Sequence, residues 1–257
     1  MLPMYVDTML GALFILVLAV VLGAYAFRSL TIGRAPDARL QREPGTVLLG
    51  RFPMEAMHWA ARAVGDRLVR WRVSPDTLTV TSLAITMVSL PLAAVGYHLL
   101  AGCVFLFGAA FDALDGIVAR ARGMASQAGA VLDAIVDRYA DAAPLLGLAL
   151  YFHLSTWKLL IILLALVGSM MVSYVRAKHE AIGLELPSWI MRRAERIAYL
   201  AAGLILGPLV GRLELGVVTA DHIVLGFVAL IGVLSNVAAI RLIFQGRAEL
   251  RDGLLRR

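Results

Sequence analysis

A chain of 257 residues that is 60 % hydrophobic and 16 % charged, with a mean hydropathy of +0.82, is not a soluble domain; it is an integral membrane protein. The formal charge of +6 does not argue for nucleic acid, because the arginines lie beside apolar runs, where they meet anionic lipid headgroups and fix topology. The single cysteine, Cys103, excludes an intrachain disulfide, and no zinc-spaced Cys/His cluster, P-loop or dinucleotide fingerprint is present.

Thr8 to Phe27 is an apolar run of about the 20 residues that cross the hydrocarbon core. Asp7 precedes it and Arg28 follows, so residues 1–28 read as a retained transmembrane anchor with its amino terminus outside rather than as a signal peptide. Residues 29–72 are expected on the cytoplasmic side. Their first part, with Gly33, Pro36, Pro44, Gly45 and Gly50, is a linker. In their second part Arg51, Glu55, His58, Arg62, Asp66 and Arg70 recur at helical spacing opposite Phe52, Trp59, Ala63, Val64, Leu68 and Trp71. Such an amphipathic helix lies in the membrane interface with Trp59 and Trp71 as anchors, or packs on the cytoplasmic side of its own bundle; the two settings are compatible.

Ser74-Pro75 is a helix start, serine as cap and proline at the first helical position. One helix is expected from Pro75 to Tyr97, rich in hydroxyls at Thr77, Thr79, Thr81, Ser82, Thr86 and Ser89. Further spans are expected over Leu100 to Arg120, Gly129 to His153, Trp157 to Tyr174, from Arg192, Arg193 and Arg196 to Val210, and over His222 to Phe244. This gives an all-α membrane fold: a six-helix transmembrane core over residues 73–247, an extra N-terminal span, a juxtamembrane amphipathic helix, and a basic tail over 248–257. Nine arginines between Arg28 and Arg72, with Arg120, Arg122, the Arg176 to Arg196 loop and the tail, put those segments in the cytoplasm, against Lys158 and Arg212 on the other side.

Within this apolar frame stand Asp112, Asp115, Gly116, Ala119, Arg120, Gly129, Asp133 and Asp137, the pattern D-x2-D-G-x2-A-R-x8-G-x3-D-x3-D. Asp112 and Asp115 share one side of a helix, and Asp133 and Asp137 stack one turn apart on another. Gly116 and Gly129 let a partner helix or a phosphate approach the backbone. Two helices facing one another would form a cluster of oxygen ligands, which without His or Cys favours Mg, Mn or Ca. By residues alone, interhelical polar contacts in a structural membrane protein, or a cation transporter, remain open; a transporter would spread its acids toward the midplane or over several spans. Asp141, one turn on from Asp137, is expected to support the cluster rather than to ligate metal directly.

This pattern resembles the signature of the CDP-alcohol phosphotransferases, membrane enzymes of phospholipid synthesis, over about Val73 to Arg247. The resemblance implies transfer of a phosphatidyl group from CDP-diacylglycerol, or a similar CDP-lipid, to a polar alcohol, with release of CMP and with Mg2+ or Mn2+, as two ions, for cofactor. It implies that Asp112, Asp115, Asp133 and Asp137 hold metal and that Asp137 is also the general base. Pro75, Asp76, Thr79, Asp115, Gly116, Arg120, Ser126 and Gly129 are implied to bind the CDP-lipid, although Asp76 stands where asparagine is usual and, when ionised, can only accept hydrogen bonds. The run Ser173-Tyr-Val-Arg176-Ala-Lys178, followed by Arg193-Ala-Glu-Arg196, is similar to that of phosphatidylinositol-phosphate synthases and their archaeal relatives. It implies inositol phosphate as acceptor, bound by Ser173, Arg176, Arg193, Arg196 and Arg241; glycerol 3-phosphate, serine or another alcohol is the alternative. The same resemblance implies a homodimer in the cell membrane, with the active site facing the cytoplasm and no nucleic-acid partner.

Overall fold

The computed structural model describes residues 2–33, 52–184, 191–213 and 219–255, and among them every regular element is helical. In chain order these are α1 (Leu2–Thr31), α2 (Phe52–Arg70), α3 (Pro75–Met87), α4 (Ser89–Ala94), α5 (His98–Ala121), α6 (Gln127–Tyr151), α7 (Thr156–Ala181), α8 (Arg193–Gly211) and α9 (Ala220–Leu255). Pro36, Pro44, Gly45 and Gly50 of the expected linker, with Arg51, Arg256 and Arg257, lie outside the described residues. Counting α3 with α4 as one span, Asp7–Thr31, Pro75–Ala94, α5, α7, α8 and Ala220–Arg251 are each long and apolar enough to cross a membrane. The 25-residue α6 packs among them against α3, α4 and α7, and differs in the acids of its first half.

Two expected boundaries differ from those observed. The span that starts at Pro75 is interrupted at Val88, whose N–H turns back to Ile85 O at 3.1 Å. Three residues on, Pro91 offers no N–H and its ring crowds the carbonyl four residues earlier, so α3 ends at Met87 and α4 begins at Ser89. The last span continues past Phe244 as part of the 36-residue α9.

Helix α5 lies at the centre, touching α1, α2, α3, α4 and α8. At its N-terminal end Tyr97 supplies no side-chain cap; instead Asp7 of α1 accepts from Leu100 N–H at 2.8 Å. Near its C-terminal end Leu114 and Val118, with Leu78 of α3, form a small core that takes in Ala61 and Leu68 of α2. The Tyr25 hydroxyl of α1 donates to Glu55 of α2 at 3.1 Å, and its ring packs on Phe52 and Trp59. So α2 is packed on its own bundle, while Trp71 stays exposed. A larger core runs between α4 to α9 through Phe105, Leu145, Leu148, Ile162, Leu204 and Ile231.

Small residues set how closely these helices approach. A Cβ at Gly147 of α6 would collide with the Leu90 carbonyl oxygen and stand 2.8 Å from Ala93 Cβ, whereas one at Gly226 of α9 meets nothing within 4 Å. Gly147→Ala is therefore expected to destabilise the detergent-solubilised protein by about 1 to 3 kcal/mol. Gly226→Ala should leave the Tm unchanged or raise it, since alanine favours helix over glycine by about 1 kcal/mol. Equal melting temperatures for the two variants would contradict the close α4–α6 contact.

Candidate active site

The two halves of the aspartate pattern end up side by side because a short turn joins them. Helix α5 ends at Ala121, and Ser126 caps α6 by accepting from Gly129 N–H at 3.0 Å. Arg122 of the turn donates to Val73 O at 2.8 Å, tying the turn to the start of α3. One carboxylate oxygen from each of Asp112, Asp133 and Asp137 then falls within 4.8 Å of the others. Asp115, one turn on from Asp112, accepts from Thr79 Oγ1 at 2.6 Å, and Asp112 accepts from Ser82 Oγ at 3.1 Å. The surplus hydroxyls of α3 thus orient the first aspartate pair. Ser82 was legible as an excess hydroxyl, but not as a partner of Asp112.

The start of α8 approaches the same point. Met191 takes a left-handed backbone (φ 57°), and Glu195 folds back to accept from Arg192 N–H at 3.3 Å, so the helix begins abruptly. From that first turn Arg193 reaches Asp112 Oδ2 (2.7 Å), Asp137 Oδ1 (2.8 Å) and Asp141 Oδ1 (3.2 Å). Arg196 is buried and donates to Asp141 Oδ2 (2.9 Å), Met191 O (2.8 Å) and Ser173 Oγ (3.2 Å). Of the residues expected to bind the acceptor, Ser173, Arg193 and Arg196 therefore come together beside the aspartates. Arg176 is half-buried one turn beyond Ser173 on α7, and Arg241 is exposed on α9. Contact between Arg193 and Asp112 or Asp137 was not foreseen.

The donor set fits a hard divalent cation. All its candidate ligands are carboxylate oxygens, the class that suits Mg2+ or Mn2+. Asp137 Oδ1 is buried and accepts no hydrogen bond: the Arg193 guanidinium beside it is an ion pair without hydrogen-bond alignment. A buried oxygen in that condition is suited to a metal or a proton.

Next to the cluster opens a cleft of about 170 Å³. Its wall contains every residue expected to bind the CDP-lipid: Pro75, Asp76, Thr79, Asp115, Gly116, Arg120, Ser126 and Gly129, with Asp133 at the boundary with the cluster. Gly116 matters for its missing side chain, since a Cβ there would stand 3.0 Å from Arg120 Nη1 and crowd the guanidinium in the cleft. Ser126 has a structural use as well, as the cap of α6.

The chain belongs to the CDP-alcohol phosphatidyltransferase family, whose model matches residues 72–234. It is a metal-dependent membrane transferase, and the cation-transporter reading falls with that. Among curated relatives it is 36 % identical over 160 residues to a phosphatidylinositol phosphate synthase of Mycobacteroides abscessus, covering 61 % of this chain and 73 % of that one. It is 32 % identical over 191 residues to an archaetidylinositol phosphate synthase of Pyrococcus horikoshii, covering 74 % and 92 %. Among solved structures it resembles the Mycobacterium tuberculosis phosphatidylinositol phosphate synthase with CDP-DAG bound, at TM-score 0.64 and 28 % identity over 72 % of this chain and 92 % of that one. The same synthase in complex with manganese and citrate matches at TM-score 0.64 and 27 % identity, over 72 % and 88 %.

Because Thr79 orients Asp115, Thr79→Val is expected to weaken Mn2+ binding about 10- to 100-fold, the usual effect of losing a partner that orients a ligand. Titration of the full chain followed by electron paramagnetic resonance measures it. Unchanged affinity would separate Asp115 from the metal.

Proposed function

We propose that the enzyme transfers a phosphatidyl group from CDP-diacylglycerol, or a similar CDP-lipid, to a hydroxyl of inositol phosphate and releases CMP. The observation that carries this reading is the adjacency, at one end of the bundle, of a cleft for the nucleotide, a carboxylate cluster, and a basic pair beside Ser173. The relatives named above add support, since both are named for an inositol phosphate product.

In this reading Asp112, Asp115, Asp133 and Asp137 hold the divalent ions, which when bound neutralise the diphosphate and stabilise the departing phosphate. The cleft orients the CDP moiety: Gly116 leaves room for the diphosphate and Arg120 pairs with a phosphate oxygen. The acceptor hydroxyl oxygen attacks the lipid-side phosphorus. As that bond forms, the bond from phosphorus to the CMP oxygen breaks, and the hydroxyl proton passes to Asp137. Asp137 suits that task because it stands in the cluster with a buried Oδ1 that accepts no hydrogen bond and meets the Arg193 guanidinium only as an ion pair. Ser173, Arg176, Arg193, Arg196 and Arg241 receive the acceptor, whose phosphate demands positive charge. The basic residues near this end of the bundle support an orientation in the cell membrane with the site facing the cytoplasm and the start of α1 outside, and the family likeness supports a homodimer.

Asp137→Asn is expected to lower kcat by at least about 100-fold while CDP-diacylglycerol still binds, the range expected for removal of a general base. CMP release measured with inositol phosphate, glycerol 3-phosphate, serine and unphosphorylated inositol tests the acceptor directly. Turnover fastest with inositol phosphate supports the reading; turnover confined to serine or glycerol 3-phosphate replaces it.

A further inference from the structure

Asp141 lies outside the aspartate pattern and outside the nucleotide cleft, yet it is only 7 % exposed. Both of its oxygens are engaged, Oδ1 by Arg193 Nε at 3.2 Å and Oδ2 by Arg196 Nη2 at 2.9 Å. Asp137, one turn nearer the start of α6, differs: its buried Oδ1 meets Arg193 Nη2 as an ion pair and accepts no hydrogen bond. A carboxylate with each oxygen committed to a guanidinium is a poor metal ligand and a good brace. Held at Nε, Arg193 turns its fork outward, Nη1 to Asp112 at 2.7 Å and Nη2 to Asp137 at 2.8 Å. Held at Nη2, Arg196 also reaches Ser173 Oγ. One side chain on α6 thereby sets the separation between a cation at the reacting carboxylates and a cation beside Ser173.

We propose that Asp141 is a positioning residue for the acceptor phosphate, acting through Arg193 and Arg196 and not through the metal. It rests on the phosphorylated acceptor of the preceding subsection. A guanidinium that swings freely loses the two-point geometry on which phosphate recognition depends, so loss of Asp141 weakens acceptor binding before it touches the nucleotide or the ions. Simple stapling of α6 to α8 is the competing role, and it would not discriminate between substrates.

The test uses the full chain in detergent, with CDP-diacylglycerol, inositol phosphate and Mn2+. For Asp141→Asn the KM for inositol phosphate should rise about 10- to 100-fold, the effect of losing a hydrogen bond to a charged group. The KM for CDP-diacylglycerol and the Mn2+ affinity, read by electron paramagnetic resonance, should stay near wild type, and Asp141→Glu should recover part of the loss. Removing Asp141 alone leaves Arg196 buried without its counter-charge and threatens folding. The pair Asp141→Asn/Arg196→Gln removes both charges, and its acceptor KM should be no worse than that of Arg196→Gln alone. A tenfold or greater loss of Mn2+ affinity with the acceptor KM unmoved would overturn the proposal in favour of metal ligation. Parallel changes in every constant, with additive effects in the pair, would reduce Asp141 to a staple. Wild-type enzyme that releases no CMP with any phosphorylated polyol removes the acceptor reading itself, and the role of Asp141 with it.

Discussion

Uncompensated negative charge in an apolar bundle is the constraint around which this molecule is built. Asp112, Asp115, Asp133, Asp137 and Asp141 sit within helices whose other residues are mostly Phe, Ala, Val, Leu, Ile and Gly. A carboxylate at the centre of a membrane helix costs about 2.5 to 3.5 kcal/mol on insertion scales, so the group survives only with partners. Two kinds are present, the hydroxyls of Thr79 and Ser82 and the guanidiniums of Arg193 and Arg196, and Asp137 Oδ1 meets Arg193 as an ion pair without accepting a hydrogen bond. That oxygen is where a divalent cation would complete the balance.

The fold delivers those partners by arranging helix ends. The α5–α6 turn brings the two halves of the aspartate pattern together, α3 starts beside that turn through the Arg122 contact with Val73, and α8 starts beside the cluster at a left-handed Met191. Helix α5 carries the first aspartate pair, and it is fixed away from the chemistry. Asp7 caps its N-terminal end and the small core with α2 and α3 supports its C-terminal end. The additional helix α1 therefore has a place in the structure: it supplies a cap that the sequence around Tyr97 lacks.

What could be read in the sequence follows from how local each signal is. The aspartate pattern, its two helices and the residues of the cleft lie close along the chain or in a fixed motif, and the structure gathers every expected CDP-lipid residue on one wall. The break at Val88 was missed because the apolar composition of a span hides a proline such as Pro91. The arginine contacts were missed for a different reason. Arg193 and Asp112 are 81 residues apart, and Arg196 and Asp141 are 55 apart, so only the packing of α8 on the bundle tells which carboxylate each arginine meets. Asp141 shows the same limit: its spacing after Asp137 suggests a supporting role, and only the packing of α8 shows that the groups on its two oxygens are the guanidiniums of Arg193 and Arg196.

The claim on which the rest stands is that the acids of α5 and α6 converge because cations sit among them. Anomalous diffraction from crystals of the full chain grown with Mn2+ and a CDP-lipid tests it most directly. The account predicts manganese peaks bounded by the carboxylates of Asp112, Asp115, Asp133 and Asp137, at the edge of the cleft. A saturated crystal with the lipid in place and no anomalous peak among those oxygens would contradict it.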